Sequence, residues 1–309
     1  LLKGHFIGSS PITGQVRVKY GNAGRITLPL IPSHRREGRI IKPDSPNESG
    51  IFTMRRRPNS PGARGSTRGL EVLYEDKDIL VVDKPAGLLT VATEREKSRT
   101  AHSLLTDYIR KGCGRSQKRL FVVHRLDRDT SGVLIFAKSE EAMLRLKNQW
   151  KQTEKKYLAV VHGACEKSSD TITTYLAEDS GYNVYSTSDS TKGRLSMTAY
   201  TVLRMTKNIS LLEVALLTGR KNQIRVHLAG IGHPIVGDTK YGKEDGSQPR
   251  MALHARTISF SHPISGKRLS FEAEVPAFFE MLAGRIDRTN APAGKLSAPL
   301  KSFRKRLPR

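Results

Sequence analysis

Cysteine is nearly absent: the 309 residues contain two, Cys113 and Cys165. Two thiols cannot build a disulfide framework or a four-thiolate zinc site. Both are expected to be ordinary thiols of a reducing, cytoplasmic compartment. Long apolar runs are missing too. Nothing approaches the roughly 18 consecutive apolar residues of a membrane-spanning helix, and no basic segment followed by an apolar stretch marks a secretory signal. Acidic residues are the third shortage, with 29 Asp+Glu against 53 Lys+Arg, a formal net charge of +24. That imbalance excludes little about fold but points to a polyanionic partner, of which nucleic acid is the commonest in the cytosol. No Walker pattern, dinucleotide glycine fingerprint or metal-ligand spacing is present.

The positive charge is concentrated at the ends. Residues 1–69 carry 13 basic and 3 acidic side chains, and residues 285–309 carry 8 and 1. From 32 to 69 the chain is rich in Pro, Ser, Gly and Arg, and it includes Arg55-Arg56-Arg57-Pro58. Such a stretch buries too little apolar surface to offset its ordering entropy. It predicts a flexible basic N-terminal extension over 1–69, with a small β element within 1–31 where Val16, Val18 and Tyr20 alternate. A basic tail is expected over 285–309. The catalytic or binding domain falls between, at 70–284.

That middle reads as α+β. Ile79–Val82, 120–123, 133–137, 157–161, 198–203, 211–217, 256–260 and 269–275 are candidate strands. Helices are expected near 101–111, after a Ser139 cap with Met143, Leu146 and Trp150 on one face, along Ile224, Leu228 and Ile231, and near 277–284. Strands cluster without regular βα alternation, which predicts a mainly antiparallel sheet with flanking helices.

One loop stands out. Residues 124–132 read His-Arg-Leu-Asp-Arg-Asp-Thr-Ser-Gly between two apolar strands. In extended backbone Arg125 and Asp127 share a face while Leu126 anchors the other. A carboxylate placed there needs a cationic partner, Arg125 or another arginine. An Arg-paired Asp stays ionised, which suits a nucleophile. A loop Asp beside Arg is more often a structural ion pair, so the rest of the chain has to decide.

It does so through four blocks in order. His124-Arg125-Leu126-Asp127 is joined by Asp83-Lys84-Pro85-Ala86-Gly87-Leu88, by Lys155-Lys156-Tyr157-Leu158-Ala159-Val160, and by Thr218-Gly219-Arg220-Lys221-Asn222-Gln223-Ile224-Arg225-Val226-His227 with its sequel Gly232-His233-Pro234-Ile235-Val236-Gly237-Asp238. Across about 70–284 the chain resembles the RluA-like RNA pseudouridine synthases. The resemblance implies the pseudouridine-synthase fold and isomerisation of uridine in RNA without cofactor or metal. It makes Asp127 the nucleophile, attacking either the anomeric carbon of the sugar or carbon 6 of the base. Tyr157 would line the uracil, and Arg225 would pair with Asp127. His124, Arg125 and Arg220 would face substrate, Arg220 from the N-terminal end of a helix, where anions bind. His124 also favours this branch over the relatives that act on small-subunit RNA, and family habit makes large-subunit ribosomal RNA the expected substrate, with transfer RNA the other RNA considered. Asn222 departs from the family's usual His. His227 and His233 are expected to be structural or RNA-facing, and Lys84 to sit in a tight turn close to the cleft. A monomer is expected. The alternative is a non-catalytic RNA-binding or ribosome-assembly factor on the same fold.

Overall fold

The computed structural model describes residues 52–54 and 69–286, apart from 95, 97, 98, 112, 243–247 and 249. The expected hairpin within 1–31 and the tail beyond 286 lie outside these residues. Twelve strands and four helices follow in the order β1 (Phe52–Met54), β2 (Glu71–Glu75), β3 (Ile79–Lys84), α1 (Ala101–Arg110), β4 (Phe121–Val122), β5 (Ser131–Ala137), α2 (Glu140–Asn148), β6 (Glu154–His162), β7 (Ser169–Glu178), β8 (Val184–Thr187), β9 (Arg194–Met205), β10 (Ile209–Leu216), α3 (Gln223–Gly230), β11 (Leu253–Ser261), β12 (Arg268–Glu272) and α4 (Ala277–Ala283). They form one sheet, β2-β3-β5-β11-β6-β10-β9-β7-β8, with β12 on β11, β1 on β12 and β4 on β5. Only β5–β11 and β1–β12 pair in parallel, so the sheet is mainly antiparallel, as the clustering of strands predicts. β1 lies inside the stretch expected to be a flexible extension, and instead it adds three residues to the sheet edge.

The first half of the sheet is covered on both faces, which is why β3 is an uninterrupted apolar run. Ile79 and Val81 pack with Ala142 and Leu146 of α2. Leu80 and Val82 point the other way, to Leu105 and Ile109 of α1. Both helices start where sequence marks them. Thr100 closes a capping box with Ser103, and the Ser139 hydroxyl accepts from the Ala142 amide. In the second half, Ile224 and Leu228 of α3 and Phe279 of α4 pack against β6 and β10. Ile231, expected on the buried stripe, falls just past α3 and is exposed.

The halves join at β5 and β11 through two residue pairs only, Ser131 with His254 and Gly132 with Ala255. Beyond that point β12 replaces β5 as the neighbour of β11. Ser131 Oγ lies 2.8 Å from His254 Nδ1 across the junction. Gly132 has φ 114°, and a Cβ there would run into the Ala255 carbonyl, so only glycine fits. The loop 124–130 enters β5 at this junction. No helix among the described residues is long and apolar enough to cross a membrane.

Candidate active site

Asp127 is fixed by its neighbours rather than by its own side chain. The Thr90 hydroxyl donates to the Leu126 carbonyl at 2.8 Å and accepts from the Leu126 amide at 3.1 Å. One residue beyond Asp127, the Arg128 carbonyl accepts from the Gly87 amide at 2.9 Å and from Lys84 Nζ at 3.0 Å. The backbone is thus anchored on both sides of the carboxylate. Lys84 is completely buried and also donates to the Pro85 and Leu88 carbonyls. Burial pulls its pKa down to about 8, opposed by the charges of Asp129, Asp127 and Asp83. It is a buried tie under the loop, not a cleft residue.

The Asp127 side chain is 31% exposed, and its Oδ2 lies 3.5 Å from Arg225 Nη1. Arg225 is the residue the sequence nominates, but Asp127 is its looser partner. Its Nε and Nη2 bind both oxygens of Asp238 at 2.8 and 2.7 Å, a bidentate geometry. The Asp238 side chain is 1% exposed. Burial alone would raise its pKa; the Arg225 bonds and the amides of Tyr241 and Lys240 outweigh this and hold it below the ordinary carboxylate range. The Tyr241 ring lies 5.0 Å beneath the guanidinium, and its hydroxyl accepts from Asn222 Nδ2 at 3.0 Å and from the Val184 amide at 3.3 Å. Asn222 itself has φ 53°, a left-handed conformation that Asn tolerates well. In the sequence Asp238 closes the last motif block without a recognisable role, and Tyr241 lies beyond the blocks. Nothing in local spacing links them to Arg225.

Tyr157 of β6 is half-buried between the two halves and packs on the cores of both. Burial, then the negative charge of Asp127, push its pKa well above the ordinary tyrosine value, so its hydroxyl is protonated at neutral pH. A void of about 10 Å³ lies behind it, lined also by His124 and Lys155. That is room for one water at most.

His124 is held by two neighbours. Its Nε2 accepts from the Ile135 amide at 3.1 Å, and its ring stacks on Trp150 with centroids 4.7 Å apart. Burial, with Lys155 nearby, pulls its pKa to about 3. His124 is thus a neutral, half-buried residue between β4 and β5, held by packing and lining the void beside Tyr157. Arg125 is exposed and makes no ion pair with Asp127. Arg220 is exposed as well, while its amide donates to Gln223 Oε1 at 3.0 Å. Buried Gln223 also donates to the Met197 carbonyl and the Thr198 hydroxyl, fixing the turn into α3. His227 is buried between the hydroxyls of Thr174 and Thr198, hence structural and not RNA-facing. His233 rests on the His162 carbonyl.

Among the described residues, one group has metal-ligand proximity, Asp76, Asp78 and His262. His262 Nδ1 accepts from the Ile264 and Ser265 amides, which places the ring proton on Nε2, 2.8 Å from Asp76 Oδ2. Asp76 further accepts from the Asp78 and Ile79 amides and the Tyr74 hydroxyl. These groups are spent on each other and tie two turns together.

Comparison with known proteins identifies the family. The family model described as RNA pseudouridylate synthase matches residues 78–230. An uncharacterized RNA pseudouridine synthase of Mycoplasma pneumoniae is 37% identical over 227 residues, 72% of this chain and 71% of its own. Ribosomal large subunit pseudouridine synthase D of Zymomonas mobilis is 34% identical over 69% of this chain and 71% of its own. Among solved structures, human RNA pseudouridylate synthase domain containing 1 superposes with a TM-score of 0.56 at 27% identity, covering 72% of this chain and 89% of that one. By sequence and fold together, the chain belongs to the RNA pseudouridine synthase family and is an isomerase.

Proposed function

We propose that the chain converts specific uridines of large-subunit ribosomal RNA to pseudouridine, with Asp127 as nucleophile. The observation that carries the assignment is the position of that carboxylate: part-exposed, anchored from both sides, facing one guanidinium nitrogen and close to half-buried Tyr157 at the junction. The similarity to a ribosomal large subunit synthase supports the choice of RNA.

A paired uridine is out of reach, so the base must leave the stack. Exposed Arg125, beside Asp127 and without a tie to it, is placed to take the vacated space or a phosphate. Asp127 attacks the sugar or the base, the bond from nitrogen 1 to the anomeric carbon breaks, and the base rotates within the pocket. A bond from carbon 5 to the anomeric carbon then forms, the bond to Asp127 breaks and returns the free carboxylate, carbon 5 loses its proton and nitrogen 1 gains one. Tyr157 packs against the uracil through this sequence. Esterification of Asp127 removes the nearby negative charge, which lowers the Tyr157 pKa and eases formation of the phenolate that takes the carbon 5 proton.

Asp127→Asn keeps the shape and removes the charge. Release of tritium from carbon 5 of uridine in transcribed ribosomal RNA should vanish while RNA binding persists. Turnover within about tenfold of wild type, a barrier change of only about 1.4 kcal/mol, overturns the nucleophile assignment. Pseudouridine mapping of total RNA with and without the protein tests the substrate, and a lost site in transfer RNA alone would redirect it.

A further inference from the structure

The hairpin joining β7 to β8 ends in an unusual residue. Glu178 pairs with Val184, and the Asp179 amide donates to the Asn183 carbonyl. The residue in the left-handed position of this turn is Tyr182, with φ 62°. Hairpins of this kind normally put Gly or Asn there, and both stand beside it as Gly181 and Asn183. A bulky side chain at positive φ is strained. Strain that a one-residue shift of sequence would remove, at an exposed turn, points to a use for the side chain.

Tyr182 is also 73% exposed, which makes it the most exposed aromatic among the described residues. Burial therefore does not compensate the strain. Both signs of charge surround it, Lys221 and Arg220 on one side and Glu178 and Asp179 on the hairpin itself. Lys221 Nζ donates to the Tyr182 carbonyl at 3.1 Å and lies 5.5 Å from the ring centroid, while also pairing with Glu178. Exposed Arg220 adjoins Lys221, and the Asp179 carboxylate is occupied by Asn183. The hairpin is wired to the reacting groups. Val184, two residues on and about 7 Å away along extended chain, donates its amide to Tyr241, whose ring underlies Arg225. An aromatic face beside basic side chains is the usual arrangement for holding a base of single-stranded nucleic acid.

We propose that Tyr182 is a stacking platform for an unpaired base of the RNA flanking the target uridine, with Arg220 and Lys221 on the adjoining phosphates. The proposal rests on the function above and adds a specificity contact outside the reacting groups. It makes an opposed pair of expectations for Tyr182→Gly in the full chain: the turn is relieved while the RNA loses its platform. Thermal unfolding should give a Tm equal to or above wild type. Single-turnover tritium release, on bulk RNA from cells lacking the protein and labelled at carbon 5 of uridine, should need about tenfold more RNA for half-saturation. Tyr182→Phe, which keeps the ring, should keep the wild-type half-saturation. A Tyr182→Gly protein with unchanged half-saturation, or one whose Tm falls, overturns the platform. The underlying function fails separately, if wild-type protein releases no tritium at all.

Discussion

Arg225 serves two carboxylates with one guanidinium, and the division is unequal. Two of its nitrogens are committed to buried Asp238, and the third faces Asp127 at 3.5 Å. Removing the arginine therefore strands Asp238 more than Asp127. Arg225→Ala should cost about 3–5 kcal/mol of stability, the range for breaking a buried pair, as measured by urea unfolding. A neutral replacement, Arg225→Gln with Asp238→Asn, can keep the side-chain bond and the turn amides of Lys240 and Tyr241. It should recover most of that stability but not turnover. If the single and double variants unfold alike, Asp238 is not the stabilising partner.

At the level of elements, the histidines of α3 and β11 bring a pH dependence. His227 and His254 are buried, and burial pulls each pKa down to about 4. In the unfolded chain both take up protons near pH 6.5; in the folded protein they resist until about 4. The unfolded state binds more protons in that window, so stability is full above about pH 6.5 and falls as the pH drops toward 4. His227→Gln should flatten the fall by up to about 1.4 kcal/mol per pH unit, read from unfolding midpoints across the window. The same elements show what the sequence makes legible. β3, β5, α1 and α2 bury clean patterns and were found. β2, β7 and β8 were not, because they bury little: β7 has only Ile172, Leu176 and Ala177 buried among Thr, Ser and acidic residues. Four separated motif blocks were enough to collect Asp127, Tyr157 and Arg225. They could not show His124 turning inward, since a stacking Trp150 and a bonded Ile135 amide are facts of tertiary packing. Asp238, 13 residues beyond Arg225, becomes its partner only through the turn after α3.

For the whole molecule, charge and topology have separate consequences. The C-terminal run Lys301, Arg304, Lys305 and Arg306 carries four basic residues and no motif block. Each phosphate neutralised on single-stranded RNA adds roughly −0.7 to the slope of log affinity against log salt. Changing these four to Gln in the full chain should flatten that slope by about two to three units and leave the saturated rate in place. A slope that stays put would remove the tail from the RNA contacts. Topology acts on timing. Most strands pair with near neighbours in sequence, but Ser131 and His254, which join the halves, are 123 residues apart. Closing so long a loop is disfavoured until the contacts across it form. On refolding, hairpins and helices should return before isomerase activity does. A chain emerging from the ribosome as far as α3 already carries Asp127, Tyr157 and Arg225, yet it lacks β11 to bring them together. Catalysis must wait until residue 261 is out.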